Sequence, residues 1–337
     1  MTERPSAPQG RASGEFDLIA RHFAPLARGV PGADGLRNDA AVFQSDGNAD
    51  LVVTADAMVE GVHFLPEDPP GLVGRKLIRV NLSDLAAMGA RPRGYLLTVA
   101  VSDRIDETWI EELAAGLAAD QREFEIGLFG GDTVSTPGPL TLSLTAIGEV
   151  TSGRALARST AHPGDHVYVS GTVGDGALGL LALRGALAGL RETDCAALAA
   201  RYRLPQPRLS LGQSLAGQGL ATAAIDVSDG LVADLGHIAG TSKLGARIEA
   251  ASVPLSAAGR RAVEARPELR EAVLTGGDDY ELLFTAPSAR APEVEALAGA
   301  LDLPVTRVGA MVEGDDVRVL DEAGEELPLP RAGWTHF

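Results

Sequence analysis

Strand-like and helical segments alternate along this chain, yet several of the strand patterns follow one another across short turns only. A parallel strand pair needs a crossover of a dozen or more residues, whereas an antiparallel pair can be joined by a tight turn. The sequence therefore predicts α/β domains with mixed sheets in place of one doubly wound parallel sheet. Ala40–Phe43 and Leu51–Thr54 read as one closely spaced strand pair, Tyr95–Val101 as a third strand, and Ile126–Phe129 as a short one running into Gly130-Gly131-Asp132. Leu140, Leu142, Leu144 and Ala146 alternate with polar residues at the period of a half-buried strand. Phe16, Ile19, Ala20 and Phe23 mark the apolar stripe of a short helix; Val73, Leu77, Val80 and Met88 mark a second over 72–88, and Ile110, Leu113, Ala114 and Leu117 a third over 107–125. In the second half, His166–Ser170, a segment ending at Ile225 and Tyr280–Thr285 are expected strands, with helices from Ala177 and Pro207.

At 337 residues the chain exceeds the size at which a single core usually stops growing, so two domains are expected. The reading is a loose tail over 1–14, a first domain over 15–150 and a second over 151–337. The polar stretch Thr151–Asp165 makes the boundary and carries Arg154 and Arg158.

Asp and Glu outnumber Lys and Arg by 46 to 29, and the net charge of −17 repels nucleic acids and anionic membranes. It also repels a nucleoside triphosphate, unless carboxylates gather divalent cations that invert the local field. The single cysteine, Cys195, excludes an intramolecular disulfide and a cysteine-rich zinc site. The first fourteen residues hold no apolar run like a signal peptide, and none elsewhere approaches a membrane span, so a cytoplasmic protein is expected.

Asp39, Asp56, Asp84, Asp132, Asp226 and Asp229 stand out by position. Asp56, Asp132, Asp226 and Asp229 fall at or just past expected strand ends, where open α/β sheets bind ligands. Asp84 falls on the inward stripe of its helix and needs a partner there. Mg²⁺ takes a few hard carboxylate oxygens plus phosphate and water, which suits scattered aspartates better than His or Cys clusters would. Each taken singly has a plain alternative as a turn or capping residue, Asp229 above all.

Gly-Gly-Asp recurs at Gly130-Gly131-Asp132 and Gly276-Gly277-Asp278, putting permissive backbone beside a carboxylate. Gly174-Asp175-Gly176-Ala177-Leu178-Gly179 matches a dinucleotide fingerprint, but the segment near Glu192 and Asp194 does not resemble the tip of a second strand. That helix start either receives an anion or merely turns the chain. No P-loop, protein-kinase, Gly-x-Ser-x-Gly or His-Glu-x-x-His signature occurs. Any phosphoryl transfer must use another scaffold. His63 reads as a structural histidine or a ligand contact, Arg158 as a surface partner or a phosphate clamp, and Trp334 with Phe337 as a C-terminal dock.

Taken in order, Gly14-Glu15-Phe16, Asn38-Asp39-Ala40-Ala41, Thr54-Ala55-Asp56 with Glu60-Gly61-Val62-His63-Phe64, Asn81-Leu82-Ser83-Asp84, Gly130-Gly131-Asp132-Thr133, Asp226-Val227-Ser228-Asp229-Gly230 and Gly277-Asp278-Asp279-Tyr280-Glu281-Leu282 form a specific set. The chain resembles the thiamine-monophosphate kinase family, within the aminoimidazole-ribonucleotide synthetase (PurM-like) superfamily. The resemblance implies a two-domain fold whose N-terminal domains build a homodimer interface, and transfer of the ATP γ-phosphoryl to thiamine monophosphate. It implies several Mg²⁺ ions held by Asp39, Thr54, Ala55 (through its backbone oxygen), Asp56, Asp84, Asp132 and Asp226, with a further one on Asp229. It places Gly131, Asp132, Arg158 and Ser228 on the nucleotide, and His63, Asp278 and Trp334 on the acceptor. Asp278 departs from the family's usual Glu, and Ala55 from its usual Ser or Thr. Other ATP-using members of the superfamily, and a non-enzymatic cation-binding protein, are the alternatives. The selenium and hydrogenase-maturation members need cysteines or selenocysteine that this chain lacks.

Overall fold

The computed structural model describes residues 38, 40–44, 47–329 and 332–333. The helix expected around Phe16–Phe23 lies outside them, as does Phe337. Strands β1 (Ala41–Gln44), β2 (Ala49–Val59), β3 (Arg91–Val101), β4 (Gly127–Ser135) and β5 (Thr141–Thr151) form one sheet in the order β1-β2-β5-β3-β4. The β3–β4 pair is parallel and is joined through helix α2 (Glu107–Glu123), while the other pairs are antiparallel. Helix α1 (Pro70–Ala87) connects β2 to β3.

Strands β6 (His166–Ser170), β7 (Ala223–Asp226), β8 (Gly245–Glu249), β9 (Leu282–Ala286), β10 (Val305–Val312) and β11 (Val317–Leu320) form the second sheet, ordered β11-β8-β10-β6-β9-β7. Its pairs are antiparallel except β11 with β8. Both sheets are mixed, as the short connections predicted.

Three strands differ from the sequence reading. β2 runs on to Val59, so Asp56 lies inside the strand instead of at its end. The alternation simply continues: Val52, Thr54 and Met58 are buried on one face while Leu51, Ala55 and Ala57 are exposed on the other. β4 likewise continues through Gly130-Gly131 to Ser135, and Asp132 is interior to it. β9 starts only at Leu282, because Asp278 and Tyr280 hold positive φ angles of 71° and 52°, which break an extended run.

Helix α1 is buried around most of its circumference, against the first sheet and against β7 and β9 of the second. An all-round buried helix should be apolar, yet α1 carries Lys76, Arg79, Asn81 and Ser83 in its buried set. Arg79 is held by Asp120 of α2 through two hydrogen bonds of 2.6 and 3.1 Å, and its remaining nitrogen donates to the Pro205 carbonyl at 3.0 Å. The Asn81 amide donates to the Leu77 carbonyl, and its oxygen accepts from the Asp56 backbone N–H at 3.0 Å. The polar cost of burial is thus met locally.

Helix α5 (Leu209–Gln218) crosses α1 so closely that a Cβ on Gly212 would stand 2.0 Å from the Ala86 carbonyl oxygen. On one face of the second sheet Tyr168, Ala224, Leu282, Phe284 and Ala286 join the cluster formed by α1, the first sheet, α5 and α9 (Ala291–Ala300). On the other face Val167, Val169, Ala223, Ile225 and Leu283 pack with α3 (Asp175–Leu183), α4 (Glu192–Arg203), α6 (Leu231–Ser242), α7 (Ala257–Ala265) and α8 (Leu269–Thr275). One core therefore spans the two sheets. No helix among the described residues is long and apolar enough to cross a membrane.

Candidate active site

A cavity of about 670 Å³ opens between the sheets, in the size range of small-molecule sites. β2 contributes Thr54 and Asp56 from alternate positions, which puts both on the inward face, and Ala55 between them also lines the cavity although its side chain belongs to the opposite face. α1 contributes Lys76, Val80 and Asp84, spaced four residues apart along one stripe. The two elements meet where the Thr54 hydroxyl donates to Asp84 Oδ2 at 2.6 Å.

From the second sheet, Asp226 ends β7, with Ser228 and Asp229 just beyond it. Asp226 shares the face of Ala224, the face that packs towards α1. The 276–280 loop lies directly against this segment: Asp278 N–H donates to Ser228 O at 2.9 Å and Tyr280 N–H to Val227 O at 2.8 Å. Gly277 is needed there, since a Cβ would fall 2.1 Å from Ser228 O. Arg158 and His63 complete the lining.

The Tyr280 hydroxyl reports how these groups converge. Burial, and then the negative charges of Asp278, Asp56, Asp226 and Asp229, push it well above the usual tyrosine range. Asp229 does not cap helix α6: Gly230 occupies that position, and the Asp234 carboxylate accepts from the Asp229 and Gly230 amides at 3.1 Å each. Burial beside Asp229 and Asp226 raises Asp234 well above the carboxylate range. Ligand atoms of Asp229, Asp234 and His237 lie within 4.8 Å of one another. The carboxylate oxygens of this group fit Mg²⁺, whose charge would offset part of their mutual repulsion.

At the other end of the cavity, His63 Nδ1 accepts the Val59 backbone N–H at 3.0 Å. That bond requires a lone pair on Nδ1, so the neutral ring carries its proton on Nε2. His63 is both structurally fixed and part of the cavity wall.

The glycine-rich start of α3 is filled from within. The Asp279 carboxylate accepts from Gly174 N–H at 2.6 Å and Gly176 N–H at 2.9 Å. The protein's own carboxyl group occupies the helix terminus, which leaves no room for a dinucleotide phosphate there. Asp175 accepts from the Thr172 and Ser256 hydroxyls, both at 2.6 Å, and so serves as a turn and cap residue.

Gly131 and Asp132 are not brought to this cavity. Asp132 pairs across the ladder with Thr98, and both are exposed on the sheet face opposite to Thr54 and Asp56. Three strand spacings, roughly 14 Å, separate β4 from β2. Asp39 and Trp334 lie outside the described residues, although Asn38 lines the cavity. Sequence reasoning missed Lys76, Tyr280, Asp234 and His237. For Lys76 the signal was its place in a four-residue series with Val80 and Asp84, and for Asp234 and His237 their three-residue separation on the helix that follows Asp229.

Two family models match the chain, the AIR synthase related protein N-terminal domain over residues 37–150 and its C-terminal domain over 162–322. The thiamine-monophosphate kinase of Caulobacter vibrioides is 43% identical over 334 residues, 98% of this chain and 93% of the relative. The chain belongs to the thiamine-monophosphate kinase family. Two solved structures support the fold: the family's enzyme from Stenotrophomonas maltophilia K279a matches with 44% identity over 93% of this chain and 98% of that one, at a TM-score of 0.76. AaThiL complexed with AMPPCP and TMP matches with 32% identity over 96% and 97% of the two chains, at a TM-score of 0.83.

Proposed function

We propose that this protein is a thiamine-monophosphate kinase, transferring the ATP γ-phosphoryl to thiamine monophosphate to give thiamine diphosphate and ADP. The observation that carries the reading is the cavity itself. In a chain matching this family over nearly its whole length, it gathers Thr54, Asp56, Asp84, Asp226, Asp229, His63 and Asp278 in one lining.

The acceptor is a phosphate oxygen that is already anionic, so no strong general base is needed. What the reaction requires is in-line positioning and compensation of charge over three phosphoryl groups. Mg²⁺ bound by Thr54, the Ala55 carbonyl, Asp56, Asp84 and Asp226, with Asp39 in the same set and Asp229 on a further ion, would supply that compensation. Arg158 adds a fixed cation and Ser228 a hydroxyl at the nucleotide end. His63 offers an Nε2–H donor and Asp278 an acceptor for thiamine monophosphate, the contact that the family resemblance also assigns to Trp334.

Gly131 and Asp132 enter this scheme from a second copy of the chain. The outer face of the first sheet carries Leu51, Leu96 and Val134 at 40%, 44% and 46% exposure. Leu128 and Phe129 of β4 are exposed as well, at 51% and 61%. An apolar sheet face exposed among the described residues suits sheet-on-sheet packing in a homodimer. In that arrangement the partner's edge strand delivers Gly131 and Asp132 to the site that they cannot reach in their own chain.

The deciding experiment incubates purified protein with ATP, Mg²⁺ and thiamine monophosphate and separates the products. Thiamine diphosphate with equimolar ADP is expected, and its absence under excess Mg²⁺ rejects the reading. A cation-binding protein without activity would instead gain thermal stability from Mg²⁺ and nothing more from an ATP analogue.

A further inference from the structure

Lys76 is a buried ammonium group, 2% exposed, in the wall of the cavity. Its three donor directions are all used. Nζ lies 2.9 Å from Asp278 Oδ1, 3.0 Å from the His63 carbonyl oxygen, and 3.8 Å above the centre of the Tyr202 ring. The Tyr202 hydroxyl donates to the same His63 carbonyl at 3.3 Å. One turn of chain further, Asp68 accepts from Leu65 N–H at 2.8 Å and from Arg203 at 2.6 Å. The segment between β2 and α1 is thus fastened to α4 of the other half, and Lys76 is the knot's centre.

Asp278 needs such a fastening. It holds φ at 71°, a conformation that costs a non-glycine residue energy, and its side chain is 29% exposed to the cavity. With Oδ1 occupied by the ammonium, Oδ2 is left to face the acceptor. Resting on the kinase reading above, we propose that Lys76 is a positioning residue for the acceptor. It fixes Asp278 and the His63 loop, from opposite halves of the chain, at the spacing that the thiamine ring system requires, and touches neither phosphate donor nor metal.

The test uses full-length enzyme with confirmed turnover, so that failure of the kinase reading shows in the wild type and failure of this inference only in the variants. Lys76→Met should raise the KM for thiamine monophosphate about tenfold or more, the scale of losing a charge-assisted contact, with the KM for ATP changed less than about twofold. Asp278→Asn, at a more exposed position, should raise the same KM, and the double variant should be no worse than the weaker single one. An unchanged KM for thiamine monophosphate in either folded variant overturns the proposal. So does a parallel rise in the KM for ATP, a loss confined to kcat, or fully multiplicative effects. If Lys76→Met does not fold, Asp278→Asn and Lys76→Arg carry the test: Arg keeps the charge and the contact with Tyr202, and should restore most of the affinity that Met loses. A Lys76→Arg enzyme whose KM for ATP rises as much as that for the acceptor counts against the role.

Discussion

Asp84 shows what a single carboxylate does here, since it bonds the Thr54 hydroxyl while facing the cavity. Asp84→Asn keeps size and shape but removes the charge, and should lower turnover by on the order of 100-fold or more with the melting temperature nearly unchanged. Wild-type turnover in that variant would end the metal assignment. Thr54→Val should cost about 10–100-fold through loss of the bond that orients Asp84, measured as kcat at saturating Mg²⁺. Asp279 gives a pH signature. Burial lifts its carboxyl from 3.8 to about 8, against the pull of the two amides it accepts from. The folded state then keeps a proton that the unfolded chain releases across that window, so stability should fall as pH rises from about 4 to about 8 and level off above it. Melting curves of wild type and Asp279→Asn at about pH 5, 7 and 9 check this, and an equal slope in the two proteins contradicts it. At this scale the meeting of Asp56, Asp84, Asp226 and Asp229 at one cavity was legible, because carboxylates in glycine-bearing segments have few structural uses together, while Asp132 went to the opposite face. Lys76 was not, because a lysine on a helix ordinarily reaches solvent and only the fold shows this one enclosed.

Among elements, the helical stripes were readable because their apolar spacing survives even where charges are buried with them. Strand lengths were not. Asp56 and Gly130-Gly131 read as terminators, but Asn81 of helix α1 satisfies the Asp56 amide and β3 pairs with the glycine run. The turn chemistry was overridden by partners far away in sequence. The α1–α2 contact rests on Arg79 and Asp120, which are 1% and 0% exposed. Asp120→Ala removes the fully buried carboxylate from the Arg79 guanidinium, leaving only the more exposed Glu123 at 2.8 Å, and should cost about 3 kcal/mol in urea denaturation. At the α1–α5 crossing, Gly212→Ala drives a methyl into the Ala86 carbonyl and should destabilise by about 1–3 kcal/mol. A neutral result would mean that the helices separate freely.

For the whole molecule, the proposed dimer has the opposite faces of the first sheet divide the site residues between two chains. A charge on the apolar face, Leu96→Asp, should shift the protein towards monomer in sedimentation and remove activity together. Mixing inactive Asp84→Asn and Asp132→Asn chains should restore part of the turnover, because one of the two sites in each mixed dimer then has both wild-type carboxylates. No recovery in verified mixed dimers places Asp132 elsewhere. The sequence alone could not reveal this division, since strand register decides which face a residue joins. The helix α1 has the widest reach, being wrapped by both sheets and completing the core of each. Fission of the gene after the first sheet would strand α1 from β7 and β9, leaving Ala224, Leu282 and Phe284 of the second fragment bare to water. The halves are therefore not exchangeable parts: recombination with a distant relative would have to carry the helix and both its walls as one inherited block.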